Sequence, residues 1–208
     1  GTNAQPQIDG AAQSGADNEA GSDDNGDPIG TQTATGSFAA TDVDSDGAIR
    51  TWSIDGTPDA TYGSFSIDQN GQWTYTLDNS LAATQALNAG DTVNLVYTVR
   101  VTDAHGAYDT ETVTITLTGS NDVATITGTT TGAVTEAGGI DNAQAGSPSA
   151  SGTLAISDAD DGEARFRTPP SLNGTYGTFS FDPLTGVWSY LLDNGRAATQ
   201  ALNAGQTV

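Results

Sequence analysis

The sequence predicts an all-β fold made of two copies of one antiparallel β-sandwich. Three observations predict it. Apolar and polar side chains alternate with a period of two, the chain repeats itself at domain length, and turn residues recur at short intervals. The repeat is plainest in the string ATQALNAG, which occupies Ala83–Gly90 and again, letter for letter, Ala198–Gly205. A spacing of 115 residues is too long for a solenoid unit and suits one whole domain. Around it, YGSFSID (Tyr62–Asp68) matches YGTFSFD (Tyr176–Asp182), and WTYTLDN (Trp73–Asn79) matches WSYLLDN (Trp188–Asn194). GSFAATDVDSDG (Gly36–Gly47) matches GTLAISDADDG (Gly152–Gly162), and the opening GTNAQPQIDG aligns with GSNDVATITG (Gly119–Gly128). The expected domains are residues 1–120, with 1–7 as a seam after an upstream repeat, and 121–208.

The elements of the first repeat follow in order. Strands are expected near Gln7–Gly10, Thr33–Thr41, Ile49–Ile54, Tyr62–Asp68, Gln72–Leu77, Thr92–Asp103 and Ala107–Thr118. Gly10–Gly30 has no period and is rich in Gly, Asp and Asn, so it reads as a surface loop. In Gln72–Leu77 the residues Trp73, Tyr75 and Leu77 share one face, as do Leu95, Tyr97, Val99 and Val101 further on, and then Val113, Ile115 and Leu117. One dry and one wet face mark antiparallel strands. Asn70-Gly71 is a hairpin signal between two of them. The one stretch with helical character is DNSLAATQALNAG, read as a turn or two capped by Asp78, Asn79 or Ser80, with Leu81 and Leu87 facing the core and Gly90 ending it. It is expected to plug one end of the sandwich. Seven short strands in about 115 residues suggest an immunoglobulin-like sandwich. The second repeat stops at the equivalent of Val93, so the counterpart of Asn94–Thr118 is expected from continuation of the chain, the alternative being a neighbouring molecule that completes the sheet.

Composition narrows the function. Acidic residues number 26 against 5 basic ones, all Arg, for a net charge of −21. That sign repels nucleic acid and anionic membrane. Asp outnumbers Glu 22 to 4, and Asp provides short oxygen ligands and favours turns. There is no Cys, hence no disulfide or thiolate site. No stretch approaches the ~18 apolar residues of a membrane span, and no signal peptide heads the chain. Catalysis finds little support: the single His105 lies in a turn-like segment, no Ser sits in a Gly-x-Ser-x-Gly setting, and carboxylate pairs for glycoside hydrolysis would have to fall in the loops that also read as cation ligands. The expectation is a protein that is not an enzyme. Among the aromatics, Trp73 and Trp188 share the core-facing phase, whereas Trp52 lacks an aromatic twin and is expected to be the exposed one, the natural platform for a sugar.

Metal ligands are the stronger reading of the acids. TDVDSDG places Asp42, Asp44 and Asp46 at alternate positions before Gly47, so their carboxylates can converge on one hard cation. SDADDG repeats this with Asp158, Asp160 and Asp161. At the seam between repeats GSNDVA supplies Asn121 and Asp122, while Glu136 in VTEAGG matches Glu19 in the first repeat. A seam pair, one Glu and an Asp-x-Asp make a candidate interdomain Ca2+ site. At the first seam Asn3 is present but Ala4 replaces the Asp.

Taken together, GSFAATDVDSDG, YGSFSIDQNGQWTYTLDN, ATQALNAGDTV, VTDAHGAYDTETVTITLTGSND and VTEAGG resemble the VCBS-type repeats of very large bacterial surface proteins. The resemblance covers one full repeat and most of a second. It implies cadherin-like or immunoglobulin-like sandwiches in tandem within secreted adhesins of the RTX type, exported by type I secretion and serving attachment and biofilm. It also implies Ca2+ at or near the junctions, with Asp103 of the VTDAHG block added to the ligand set. The implied role is a Ca2+-stabilised spacer whose partners are adjacent repeats of its own chain. The alternative is a module whose loops grip a glycan or protein. Ala4 and the stretch Ala164–Gly174, which has little likeness to the first repeat, depart from the pattern.

Overall fold

A computed structural model describes residues 2–21, 32–44 and 51–208. The chain divides into two compact units, Gly1–Val123 with Ala159–Asp161, and Ala124–Asp158 with Gly162–Val208.

The first unit contains β1 (Gln7–Asp9), β2 (Gln13–Asn18), β3 (Thr33–Ser37), β4 (Ala39–Thr41), β5 (Thr51–Ile54), β6 (Gly63–Ile67) and β7 (Gln72–Leu77). A single helical turn α1 (Ala82–Gln85) then leads to the long hairpin of β8 (Thr92–Thr102) and β9 (Tyr108–Thr118). One sheet has the order β2-β9-β8-β5, the facing sheet β3-β7-β6, and β1 pairs with β4 in a separate ribbon. The alternating strands behave as their pattern dictates. Trp73, Tyr75, Leu77, Leu95, Tyr97, Val99, Val101, Val113, Ile115 and Leu117 all enter one core between the sheets. Aromatic rings bind the layers: Phe65 stacks on Tyr97 with centroids 4.4 Å apart and on Trp73 at 5.9 Å. The β6–β7 turn uses Gly71 at φ +78°, while the Asp68 carboxylate accepts from the amides of Asn70 and Gln72.

Three expectations are corrected. The predicted loop Gly10–Gly30 contains β2, a strand parallel to β9 with Gln13 opposite Val113 and Asn18 opposite Thr118; residues 22–30 lie outside the described ones. Its inward positions are Gly15 and Asp17 rather than large apolar residues, so no alternation announces it. A Cβ at Gly15 would come within 2.7 Å of the Ala34 Cβ and 3.0 Å of Ile115 Cδ1, which is why this strand needs a residue without one. Trp52 is not an exposed platform. It is 7% exposed, stacked on Phe38 at 6.1 Å, and its indole roofs the Gly71 turn. Finally, α1 is not capped by a side chain. Its N-cap is Leu81, and Asp78 instead closes a turn with the Ser80 amide and hydroxyl.

The second unit contains β10 (Thr125–Gly128), a 3-10 turn at Ile140–Asn142, β11 (Ser149–Ser157), β12 (Gly177–Phe181), β13 (Val187–Leu192) and the helical turn α2 (Ala197–Gln200). Its sheet runs β10-β11-β13-β12. The register reproduces the first unit: Gly152 faces Trp188 as Gly36 faces Trp73, and Phe179 faces Tyr190 as Phe65 faces Tyr75. Burial does not. Trp188 and Leu192 are buried, but Phe179 and Tyr190 are only half-buried where Phe65 and Tyr75 are closed off.

Candidate functional site

In the first unit the candidate ligands collect at the two ends of the β8–β9 hairpin. Eleven-residue strands at about 3.3 Å per residue put those ends roughly 33 Å apart.

At the end formed by Gly119 and Ser120, β2 carries Glu19 one step beyond its last pair, with the Glu19 amide donating to the Thr118 carbonyl at 2.9 Å. The Glu19 side chain is fully buried. Its Oε1 accepts from Gln85 Nε2 at 3.2 Å and its Oε2 from the Ser120 amide at 3.2 Å, and Ser120 Oγ donates back to the Glu19 carbonyl. Burial pushes the carboxyl up to about 7; the Ser120 amide opposes this, and the charges of Asp122 and Asp160 add to it. Asp160, 3% exposed, accepts from the Asp122 amide at 2.7 Å through Oδ2. Asn79 accepts from the amide of Ala20, the residue after Glu19, at 2.9 Å. Two residues back on β2, Asp17 is also fully buried, and neither of its oxygens makes a well-formed hydrogen bond. Burial raises it to about 6, against a weak opposing pull from the Ala34 backbone.

At the opposite end, Asp103 accepts from Asn3 Nδ2 at 2.8 Å and from the amides of His105 and Ala107. Burial alone would raise its pKa, but these bonds outweigh it and hold the carboxyl below its ordinary value. Asp44 accepts from the Ala4 amide at 2.5 Å, and Asp42 accepts from the Asp44 amide at 3.0 Å. Asp46 lies outside the described residues. Of the remaining candidates, Asn121 is exposed and donates to the Asp122 carbonyl, and Asp161 is exposed, with its amide 3.4 Å from the Ala86 carbonyl. In the second unit Asp158 is half-buried just after β11. There Glu136 repeats the Glu19 arrangement: its Oε1 accepts from Gln200 Nε2 at 3.1 Å, and Asn194 accepts from the Ala137 amide at 3.0 Å.

Sequence reasoning missed Gln85, Gln200, Asn79 and Asn194. The signal for the two Gln was present, since both lie in the verbatim string, but small-residue strings read as packing.

The family profile of the bacterial cadherin-like domain matches residues 3–119. The chain belongs to that family. No curated protein matches it. Among solved structures, this cadherin-like chain is similar to protocadherin gamma B2 extracellular cadherin domains 1–5, at 14% identity and a TM-score of 0.49, over 90% of this chain and 32% of that one. It is also similar to mouse cadherin-23 EC22–24, at 17% identity and a TM-score of 0.40, over 92% of this chain and 56% of that one. Human CDH23 EC21–23 gives 16% identity and a TM-score of 0.40, over 93% and 55%. The chain thus spans about a third of the protocadherin structure and just over half of the cadherin-23 structures.

The donors in this cadherin-like repeat fit a hard cation. They are carboxylate and amide oxygens without sulfur, and Glu19 is held beside two like charges by partners that carry no positive charge. Among the described residues no three acidic or His side chains are gathered tightly enough to grip an ion by themselves. Main-chain oxygens and water belong to Ca2+ shells of six to eight ligands.

Proposed function

We propose that the chain is a Ca2+-stabilised spacer module of a large bacterial cell-surface adhesin of the RTX type, exported by type I secretion and used in attachment and biofilm formation. The observation that supports it is Glu19: a fully buried carboxylate facing Asp122 and Asp160, with no cationic partner among its hydrogen bonds. Such crowding is costly without a cation. Glu19, Asp122 and Asp160 would hold the ion, whose charge would offset the repulsion that Asp122 and Asp160 exert on Glu19. The proposed partners are adjacent repeats of the same long chain, and a net charge of −21 keeps nucleic acid and anionic membrane away. An adhesion module gripping a sugar through Trp52 loses its support, because that indole is buried.

Calorimetry of the 208-residue chain in millimolar Ca2+ and in chelator tests this reading. At a free level 100 times Kd, one site adds about 2.7 kcal/mol, and a melting point that does not move between the two conditions overturns it.

A further inference from the structure

The verbatim string Ala83–Gly90 and Ala198–Gly205 makes a side-chain contact that packing alone does not require. Two of its members behave as filler: Thr84 and Thr199 are fully buried and donate to the carbonyls of Tyr62 and Tyr176. The next residue in each copy does something else. Gln85 reaches Oε1 of Glu19, 66 positions earlier, and Gln200 reaches Oε1 of Glu136, 64 positions earlier. The bond recurs although the surroundings differ: Glu19 is fully buried, whereas Glu136 is half-buried and Gln200 also contacts Asn142 and the Asn194 carbonyl. Both helical turns are four residues long and sequence-identical, AATQ, and both start from an extended residue without a side-chain cap. In each turn a fully buried Thr immediately precedes the Gln that reaches the carboxylate, so the turn that anchors the Thr also places the Gln.

The geometry points to Gln85 as a positioning residue for the Glu19 carboxylate, orienting it for a divalent cation of the Ca2+ type, and Gln200 repeats the contact with Glu136 in the second unit. A neutral amide suits this role. Its N–H fixes one carboxylate oxygen without neutralising the charge, so the second lone pair and the full negative charge stay available to the ion. An Arg or Lys at the same place would compete with the cation. Partners behind metal ligands commonly govern affinity by 10- to 100-fold when removed. The inference rests on the reading of Glu19 as a Ca2+ ligand, and its test separates the two.

The experiment uses the 208-residue chain and four proteins: wild type, Gln85→Met, Glu19→Ala and the double variant. Met keeps the length of the side chain and removes the donor. Titration calorimetry with CaCl2 should show affinity weakened by about 10-fold in Gln85→Met, while Gln85→Met should make no further difference in the Glu19→Ala background. Wild-type affinity in Gln85→Met, with only the melting point changed, would show that Gln85 merely packs and would overturn the inference. If the wild type binds no Ca2+, the proposed function fails and the inference, which needs the ion, fails with it. A wild type and a Gln85→Met variant that bind Ca2+ equally well overturn the inference alone, and equal weakening by Gln85→Met in the wild-type and Glu19→Ala backgrounds overturns it too.

Discussion

The backbone amide of Asp122 donates to the carboxylate of Asp160 at 2.7 Å, and at the equivalent places of the first repeat the amide of Ala4 donates to Asp44 at 2.5 Å. A main-chain bond is indifferent to the side chain above it. The seam residue can therefore change from Asp to Ala and still dock on the second Asp of Asp-x-Asp. What Ala4 lacks is the carboxylate. At this position the two ends of the hairpin share a main-chain bond and differ by one carboxylate.

Restoring that group should be readable. Ala4→Asp should lower the melting point in chelator, because it adds a like charge beside Asp44. It should also enlarge the rise on adding Ca2+ relative to wild type. Paired thermal melts check this, and an unchanged Ca2+ increment would show that the Asn3–Asp103 end takes up no ion.

Glu19→Gln should change sign with the medium. In chelator at pH 8 the variant should melt no lower than wild type, since a buried charge repelled by Asp122 and Asp160 is gone. In millimolar Ca2+ it should melt lower, because the ion loses a charged ligand. Differential scanning calorimetry in both buffers measures it.

The pH profile without metal should run against the usual one. Asp17 and Glu19 have folded-state values of about 6 and about 7 against ordinary values of 3.8 and 4.5. Both carboxyls hold their protons more tightly when folded, so their contribution is fully present below about pH 4 and is lost as pH rises through 6 and 7. Asp103, held below its ordinary value, works oppositely and weakens the fold only in stronger acid. Melting in chelator should fall from pH 4.5 to 7.5, and saturating Ca2+ should abolish much of that fall by binding the ionised form of Glu19.

Gly15→Ala should destabilise the first unit by about 1–3 kcal/mol, because the added methyl must push Ala34, Ile115 or the Trp73 ring aside. Gly10→Ala, at φ +107° but with open space around it, should cost about 1 kcal/mol. Urea unfolding ranks the two.

The half-buried Phe179 and Tyr190 should be covered by a hairpin of the β8–β9 kind, as Phe65 and Tyr75 are covered by Tyr97 and its neighbours. Fusing a second copy of Asn94–Thr118 after Val208 should sharpen the unfolding of the second unit and reduce binding of a hydrophobic dye. Identical melts of the two chains would refute this.

The sequence by itself determined the layers of this protein. Alternation in β7, β8 and β9 predicted which side chains enter the core, Asn70-Gly71 predicted the β6–β7 turn, and the repeated blocks placed equivalent strands in both units. These are local properties: a period of two survives whatever the strand pairs with. It also picked out Glu19, Asp44, Asp122 and Asp160 as candidates, because oxygen-bearing side chains at recurring places are visible in a string. Only the tertiary structure decided which partners those groups meet. β2 exists because β9, a hundred residues later, offers a parallel partner, and its inward Gly15 and Asp17 look like loop residues until that partner is known. Trp52 is buried because Phe38 and the Gly71 turn close over it. Gln85 matters because a four-residue helical turn carries it back to Glu19. Burial and charge proximity depend on contacts between residues far apart in the chain, and no local pattern encodes them.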